Sequence, residues 1–338
     1  MAVTFGVWDQ LDDNGMPVER LYQERLEMVA AAERAGFRTY LLSEHHGTPL
    51  STAPWPALFL AAAAARTSRI RLGTLCFILP LYHPLALVEQ VAMLDRLSGG
   101  RLDVGVSRGI SPHELGFFGV DAAEGRAIFD ESLAILRAGM TQDRVTYAGE
   151  HYRLDDVPIA IHPMQQPHPP LWYATASPET APQLAREGMR LVSGGPADHA
   201  RAVLDAYRAA WDPAAGEPVA GLSRHVLVCD GDDEALAVAR EAHATWFASM
   251  MRLWHERGDH SWDDMFSWEA ATTHGTFVLG SPQTVRDRLA EALAVSGANH
   301  LNLVFSWGSL THERQRRSLE LFAREVMPAL AGAGAPAG

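Results

Sequence analysis

The feature that most constrains this chain is an alternation of strand-like and helical segments running from one end to the other. Short runs rich in apolar, β-branched and aromatic residues read as strands, and stretches with helical periodicity follow them. The strands fall at Thr4–Trp8, Phe37–Ser43, Ile70–Leu79, Arg101–Ser107, Leu171–Ala176, Arg190–Ser193, Ser223–Cys229 and Asn299–Trp307. Helices are expected over Glu19–Ala35, Pro56–Thr67, Pro84–Leu97, Glu124–Ala138, Pro178–Glu187, Pro196–Trp211, Asp233–Met251, Ser281–Val295 and Thr311–Val326. Gly36 is placed to end the first of these, and Pro84 and the Ser281-Pro282 pair to open two others.

Eight parallel strands, each backed by a helix, close into an α/β architecture, the TIM (β/α)8 barrel, whose chemistry sits on the loops after the strands. The 338 residues suffice for one such barrel, which typically needs about 250. A doubly wound open sheet is the competing architecture, but no GxGxxG follows the first strand. The reading is a single barrel domain over residues 1–330 with a flexible tail at 331–338. Two excursions interrupt it: the proline-dense Thr146–Pro170 after the fourth strand, and Trp254–Phe277, rich in Trp and His, late in the chain.

Composition narrows the function classes. Hydrophobic residues make up 47% of the chain and charged residues 20%, enough for a full core. The formal charge is −13 with the basic residues scattered, which argues against nucleic acid. The two cysteines, Cys76 and Cys229, are far apart in apolar runs and suggest neither a disulfide nor a metal site. The chain starts on a strand without a signal-peptide pattern, and its longest apolar run, Ala57–Ala65, is too short for a bilayer. A reducing cytoplasm is expected, with no membrane partner.

The barrel rule directs attention to residues just past the strands: Glu44-His45-His46, Leu75 to Pro80, Ser107-Arg108-Gly109, Thr175-Ala176-Ser177, Ser193-Gly194-Gly195 and Trp307. Small and hydroxylated residues leading into helix N-termini suit a phosphate, so an anionic cofactor is expected. Gly105-Val106-Ser107-Arg108-Gly109 fits the GxSxG pattern of serine hydrolases, yet a nucleophile elbow needs its helix at once, and Pro112 to Gly119 intervene. His255 and His260 lie one residue too far apart for HExxH, and the segment reads as a solvated loop; no metal is expected. The tryptophans at 246, 254, 262 and 268 read as core or lid packing.

Taken together, several motifs in register resemble the bacterial luciferase-like flavin monooxygenases. They are Glu44-His45-His46, Leu72 to Pro80 with His83-Pro84, Leu94-Asp95, Ser98 to Leu102, Gly105 to Gly109 with Phe118-Gly119, Gln166 to Trp172, Ala176 to Thr180, Leu279 to Gln283 and Val326-Met327-Pro328. The resemblance implies a TIM barrel that takes reduced FMN from a separate flavin reductase, reacts it with O2 to a C4a-hydroperoxyflavin, and oxygenates a small organic substrate. It also implies site residues. His45 would be the acid or base beside the flavin, with Glu44 next to it and Ser107 near the reactive edge, where the luciferases carry a cysteine. Leu75 and Cys76 would form a non-proline cis peptide against the flavin ring. Arg108, Gly109 and Ile110 on one side, with Thr175, Ala176, Ser177 and Thr180 on the other, would hold the cofactor; Thr175 departs from the acidic residue of the luciferases. His46, His83, Glu114 and Trp307 are substrate-pocket candidates.

Three alternatives remain open at this stage: a deazaflavin-dependent oxidoreductase of the same superfamily, a GxSxG hydrolase, and a non-enzymatic flavin-binding protein. The helix over Ala57–Ala65 is apolar all round, so a homodimer through it is expected unless the chain's own excursions cover it. The Trp254–Thr276 segment is expected to form a lid, and its aromatic content favours an apolar or ring-bearing substrate.

Overall fold

A computed structural model describes residues 3–332. Eight parallel strands form a closed ring: β1 (Thr4–Asp9), β2 (Thr39–Leu42), β3 (Arg71–Thr74), β4 (Leu102–Ser107), β5 (Leu171–Ala174), β6 (Arg190–Ser193), β7 (Ala220–Val228) and β8 (His300–Val304). Neighbours in the ring are neighbours in sequence, and the circle shuts where His300 of β8 faces both Gly221 of β7 and Thr4 of β1. This is a TIM barrel, as the strand count implies. The helices pack around it because each carries one apolar stripe; in Gly125–Thr141 the residues Ile128, Phe129, Leu133, Leu136 and Met140 are buried while Arg126 and Asp130 stay outside.

Two glycines set the approach of β3 to β4. A Cβ on Gly73 would stand 2.3 Å from the Asp103 carbonyl oxygen, and one on Gly105 2.2 Å from that of Thr74. The Thr74 hydroxyl fills the gap, donating to the Gly105 carbonyl at 2.9 Å and accepting from its N–H at 3.1 Å. Immediately afterwards the expected long third strand breaks. The Leu75–Cys76 peptide is cis, Phe77–Ile78 pairs separately with β4, and a short 3-10 turn follows at Leu79–Leu81.

Other differences from the expected elements have local causes. Thr146–Pro170 is partly ordered into an antiparallel hairpin, Arg144–Ala148 with Arg153–Pro158, anchored where Glu131 accepts from the N–H groups of Glu150, His151 and Tyr152. The late excursion holds a ninth parallel strand, Phe277–Gly280, which pairs with the His225–Val228 half of β7, beyond the half that meets β6. The helix after β7 runs further than expected, from Asp232 to His255, and short helices follow at Asp263–Phe266 and Trp268–Thr273. Of the tail expected over 331–338, Ala331 and Gly332 belong to the helix Met327–Gly332, and the rest lies outside the described residues. No helix among the described residues is long and apolar enough to cross a membrane.

Candidate functional site

The Glu44-His45-His46 run extends past the end of β2, still tied to β1 by the Ser43 N–H to Asp9 carbonyl bond of 2.9 Å. Successive residues of an extended segment point apart, and the two histidines accordingly find different carboxylates. His46 Nε2 lies 2.9 Å from Glu44 Oε1, and the His46 ring meets the edges of Trp55 and Phe118. His45 Nδ1 lies 3.3 Å from Glu114 Oε1, whose other oxygen accepts from the His46 N–H at 2.9 Å. Glu114 comes from the short helix Pro112–Phe117, held at its start by the Ser111 hydroxyl accepting from the Glu114 N–H.

Glu44 is buried, and burial pushes its pKa up against the opposing effect of His46. Its second oxygen accepts from the Tyr82 hydroxyl at 2.9 Å and the Ile78 N–H at 3.2 Å, so the carboxyl is fully partnered. Burial and the adjacent Glu44 likewise push the Tyr82 phenol well up, which keeps it a neutral donor. His45 is the exposed member of the group, its side chain 15% accessible, and its Nε2 makes no hydrogen bond among the described residues. A ring fixed through one nitrogen and open at the other is what proton transfer to a bound molecule requires.

Leu75 and Cys76 are buried in one apolar cluster with Leu41, Trp172 and Val192, and Trp8 packs against it. Burial pushes the Cys76 thiol up to about 12, so it acts as a small hydrophobe and not as a nucleophile. The indole N–H groups of Trp8 and Trp172 are buried here with no partner. Trp8 keeps part of its side chain accessible, whereas Trp172 is fully enclosed, with the Arg190 guanidinium 5.3 Å over its ring and His300 at 5.4 Å.

The next two strand ends carry the residues expected to accept an anion. Ser107 pairs in register with Ile78, and its hydroxyl accepts from the Gly109 N–H at 3.3 Å. Gly109 sits at φ +89, with Ile78 only 2.9 Å from where a Cβ would stand. Arg108 is exposed and makes no ion pair or hydrogen bond among the described residues, and Ile110 beside it is 56% exposed. After the neighbouring β5, Thr175 Oγ1 accepts from the Ser177 N–H at 3.0 Å, and Ser177 Oγ accepts from the N–H and hydroxyl of Thr180, both at 3.2 Å. The Ser177 hydroxyl itself donates to Glu179 at 2.8 Å, an interaction that lowers the Glu179 pKa. This hydroxyl therefore already engages an exposed carboxylate. Ala176 contributes its carbonyl to His199 Nε2 at 2.7 Å.

Not every candidate joins this assembly. His83 is exposed and sets its ring against Tyr152 of the hairpin, with centroids 5.9 Å apart. Trp307 is fully enclosed among Phe277 and His225, a packing position with no accessible face. Among the described residues the Ser107 hydroxyl is bonded by the Gly109 N–H and by no histidine, and the helix at Pro112–Phe117 begins five residues on, so the hydrolase arrangement is not formed. Sequence reasoning assigned no site role to Tyr82, Trp8 or Trp172. Trp172 closes the Gln166 to Trp172 motif, Tyr82 stands beside His83-Pro84, and Trp8 ends the first strand.

Comparison with known proteins gives the assembly a family. The sequence profile described as "Luciferase-like monooxygenase" matches residues 3–300. The chain is 36% identical over 313 residues to the uncharacterized protein y4wF of Sinorhizobium fredii, covering 91% of this chain and 92% of that one. It is 28% identical to the oxygenase component of the flavin-dependent trigonelline monooxygenase of Acinetobacter baylyi, covering 92% and 90%. The crystal structure of monooxygenase RslO1 from Streptomyces bottropensis superimposes with a TM-score of 0.87 at 27% identity, over 96% of this chain and 99% of that one. The chain belongs to the luciferase-like monooxygenase family.

Proposed function

We propose that this protein is the oxygenase half of a two-component system, a single-domain cytoplasmic enzyme that binds reduced FMN from a separate reductase and uses O2 to oxygenate a small organic molecule. The observation that carries the reading is His45, tethered at Nδ1 and open at Nε2, on the same barrel rim as an unpaired Arg108. When bound, reduced FMN would supply the oxygen activation that no amino-acid side chain can.

The chain's own residues divide the remaining work. Arg108, Ser177 and Thr180 would hold the phosphate, with Glu179 yielding its place on Ser177, and the Gly109, Ile110, Thr175 and Ala176 backbone would frame it. Leu75, Cys76 and Trp8 would wall the ring and shed water from it, with Trp172 packed behind them. His45 takes or delivers a proton at Nε2, and Glu114 holds its ring in orientation. Glu44, His46 and Tyr82 brace the segment from behind, and Ser107 sets a hydroxyl where it cannot be oxidised as a thiol would be. The late excursion covers the rim: Trp254 is buried against His113, centroids 5.6 Å apart, and Arg257 stands over Phe117. This aromatic cover favours an apolar or ring-bearing substrate.

Anaerobic fluorescence titration of the purified chain tests the reading. Reduced FMN should bind, and Arg108→Ala should weaken it by about ten- to a hundredfold, the loss of one charge-assisted bond. Tighter binding of a deazaflavin than of reduced FMN moves the chain to the hydride-transferring branch, and failure to bind either removes the proposal.

A further inference from the structure

His255 and His260 are too far apart for two ligands on one helical face, yet the chain brings them together by ending the helix between them. The Gly258 N–H bonds to the His255 carbonyl at 3.0 Å and the Asp259 N–H to the Trp254 carbonyl at 3.0 Å, the paired bonds of a Schellman turn, with Gly258 at φ +71. The turn folds His260 back over His255, with ring centroids 4.5 Å apart. Asp263, opening the next short helix, then inserts its carboxylate between them: Oδ1 lies 2.6 Å from His255 Nε2 and Oδ2 2.8 Å from His260 Nδ1. One ligand atom from each of the three residues falls within 4.8 Å of the other two.

We propose that His255, His260 and Asp263 form a binding site for a first-row transition dication such as Zn2+. Two imidazole nitrogens and a carboxylate oxygen are a common donor set for such an ion, with water completing a tetrahedron. Tetrahedral coordination at about 2.0–2.1 Å wants donor atoms about 3.3 Å apart. The two His–Asp separations therefore need to open by about 0.5–0.7 Å and the widest of the three to close by at most about 1.5 Å, within reach of side chains on a solvent-facing loop. A metal would replace the hydrogen-bonding protons now shared with the carboxylate. Asp259 in the same turn adds negative charge, while Glu256 is paired with Arg252 and Arg257 is engaged on the Leu253 carbonyl and Phe117 ring.

The ion would staple the end of the long helix Asp232–His255 to the helix Asp263–Phe266. That second helix bears on the aromatic layer over the barrel, because the Phe266 carbonyl lies 3.1 Å from His243 Nε2 and the Phe266 ring meets Trp246. Metal binding would thus stiffen the cover of the barrel mouth. It is independent of which flavin, if any, the barrel takes.

Tag-free, chelator-treated full-length chain titrated with Co2+ should develop visible ligand-field absorption with a stoichiometry of about one per chain, and Zn2+ should abolish it by displacement. Because the His260 side chain is 64% exposed, His260→Ala should fold normally while binding Co2+ more than about tenfold more weakly, and Asp263→Asn should do the same. Zn2+ should also slow tryptic cleavage after Arg257 in the wild type and not in His260→Ala. Absence of the absorption from the wild type, or binding of undiminished strength in His260→Ala, overturns the site.

Discussion

His225 shows what enclosing a titratable residue costs. Its ring lies flat on Phe277, centroids 4.2 Å apart, with Trp246 and Trp307 at its edges and its Nε2 buried without a partner. Burial, reinforced by His243 and Arg224, pushes its pKa down to about 3. A histidine whose folded pKa is depressed gives its full contribution above the unfolded value near 6.5 and loses it as pH falls toward the folded value, because the unfolded chain binds the proton first. At pH 5 the loss is about 2 kcal/mol from this residue alone. Urea unfolding from pH 7 to pH 5 should show the wild type weakening and His225→Phe weakening less; parallel pH slopes would refute the assignment. At the rim, His45→Ala should cut turnover about 10²- to 10⁴-fold with little change in flavin affinity, whereas Glu114→Gln, which keeps the ring but loosens its orientation, should cost less. A stopped-flow comparison of kcat with flavin Kd separates the two effects. The residues with the sharpest chemistry were legible, since Glu44-His45-His46 and Gly105 to Gly109 are contiguous. Glu114 and Tyr82 act on them from 68 and 38 positions away, a relation that only the folded chain creates.

At the scale of elements, the clearest constraint lies where β8 leaves the barrel. Gly308, at φ +55, sends its N–H to Asp12 and lies so close to the helix Asp232–His255 that a Cβ would meet the Ala242 carbonyl oxygen at 1.9 Å. Backbone cannot yield as a flexible side chain does. Gly308→Ala should therefore destabilise the chain by at least about 2 kcal/mol, through both the left-handed φ and the forced separation. A Tm lowered by less than one degree would show that the helix can shift without cost. The elements the sequence obscured share a property: they are short and bordered by breakers. Phe277–Gly280 is four residues between Gly275 and Ser281-Pro282, and its alternation is too brief to separate from a loop. The hairpin at 144–158 is half exposed and ends at Pro158, and its order comes from Glu131, a residue of the preceding helix. The long helices were readable because their apolar stripes repeat over several turns.

For the whole molecule, ring closure was readable from the strand count alone, since parallel strands backed by helices have few other ways to hide both faces. What the count does not reveal is the outer surface. The helix Pro56–Ala64 packs its Phe59, Leu60 and Ala63 face inward, yet Leu58 on its outer side is 75% exposed, so the excursions leave that side uncovered. The helix Pro84–Leu97 packs beside it and presents Met93 and Leu97, 53% and 63% exposed, one turn apart. Large apolar side chains displayed on two adjacent helices are costly in water and suit a self-complementary contact, which a twofold axis would double. We therefore expect a homodimer through these helices. Each such side chain gains about 1.5–3 kcal/mol on burial, so Leu58→Glu and Leu97→Glu should each raise the dimer dissociation constant by at least about tenfold. Light scattering at micromolar concentration should give twice the chain mass for the wild type and the single-chain mass for the double variant, with unchanged circular dichroism. A wild-type chain that scatters as a monomer would mean that these leucines face water, and that the barrel works alone.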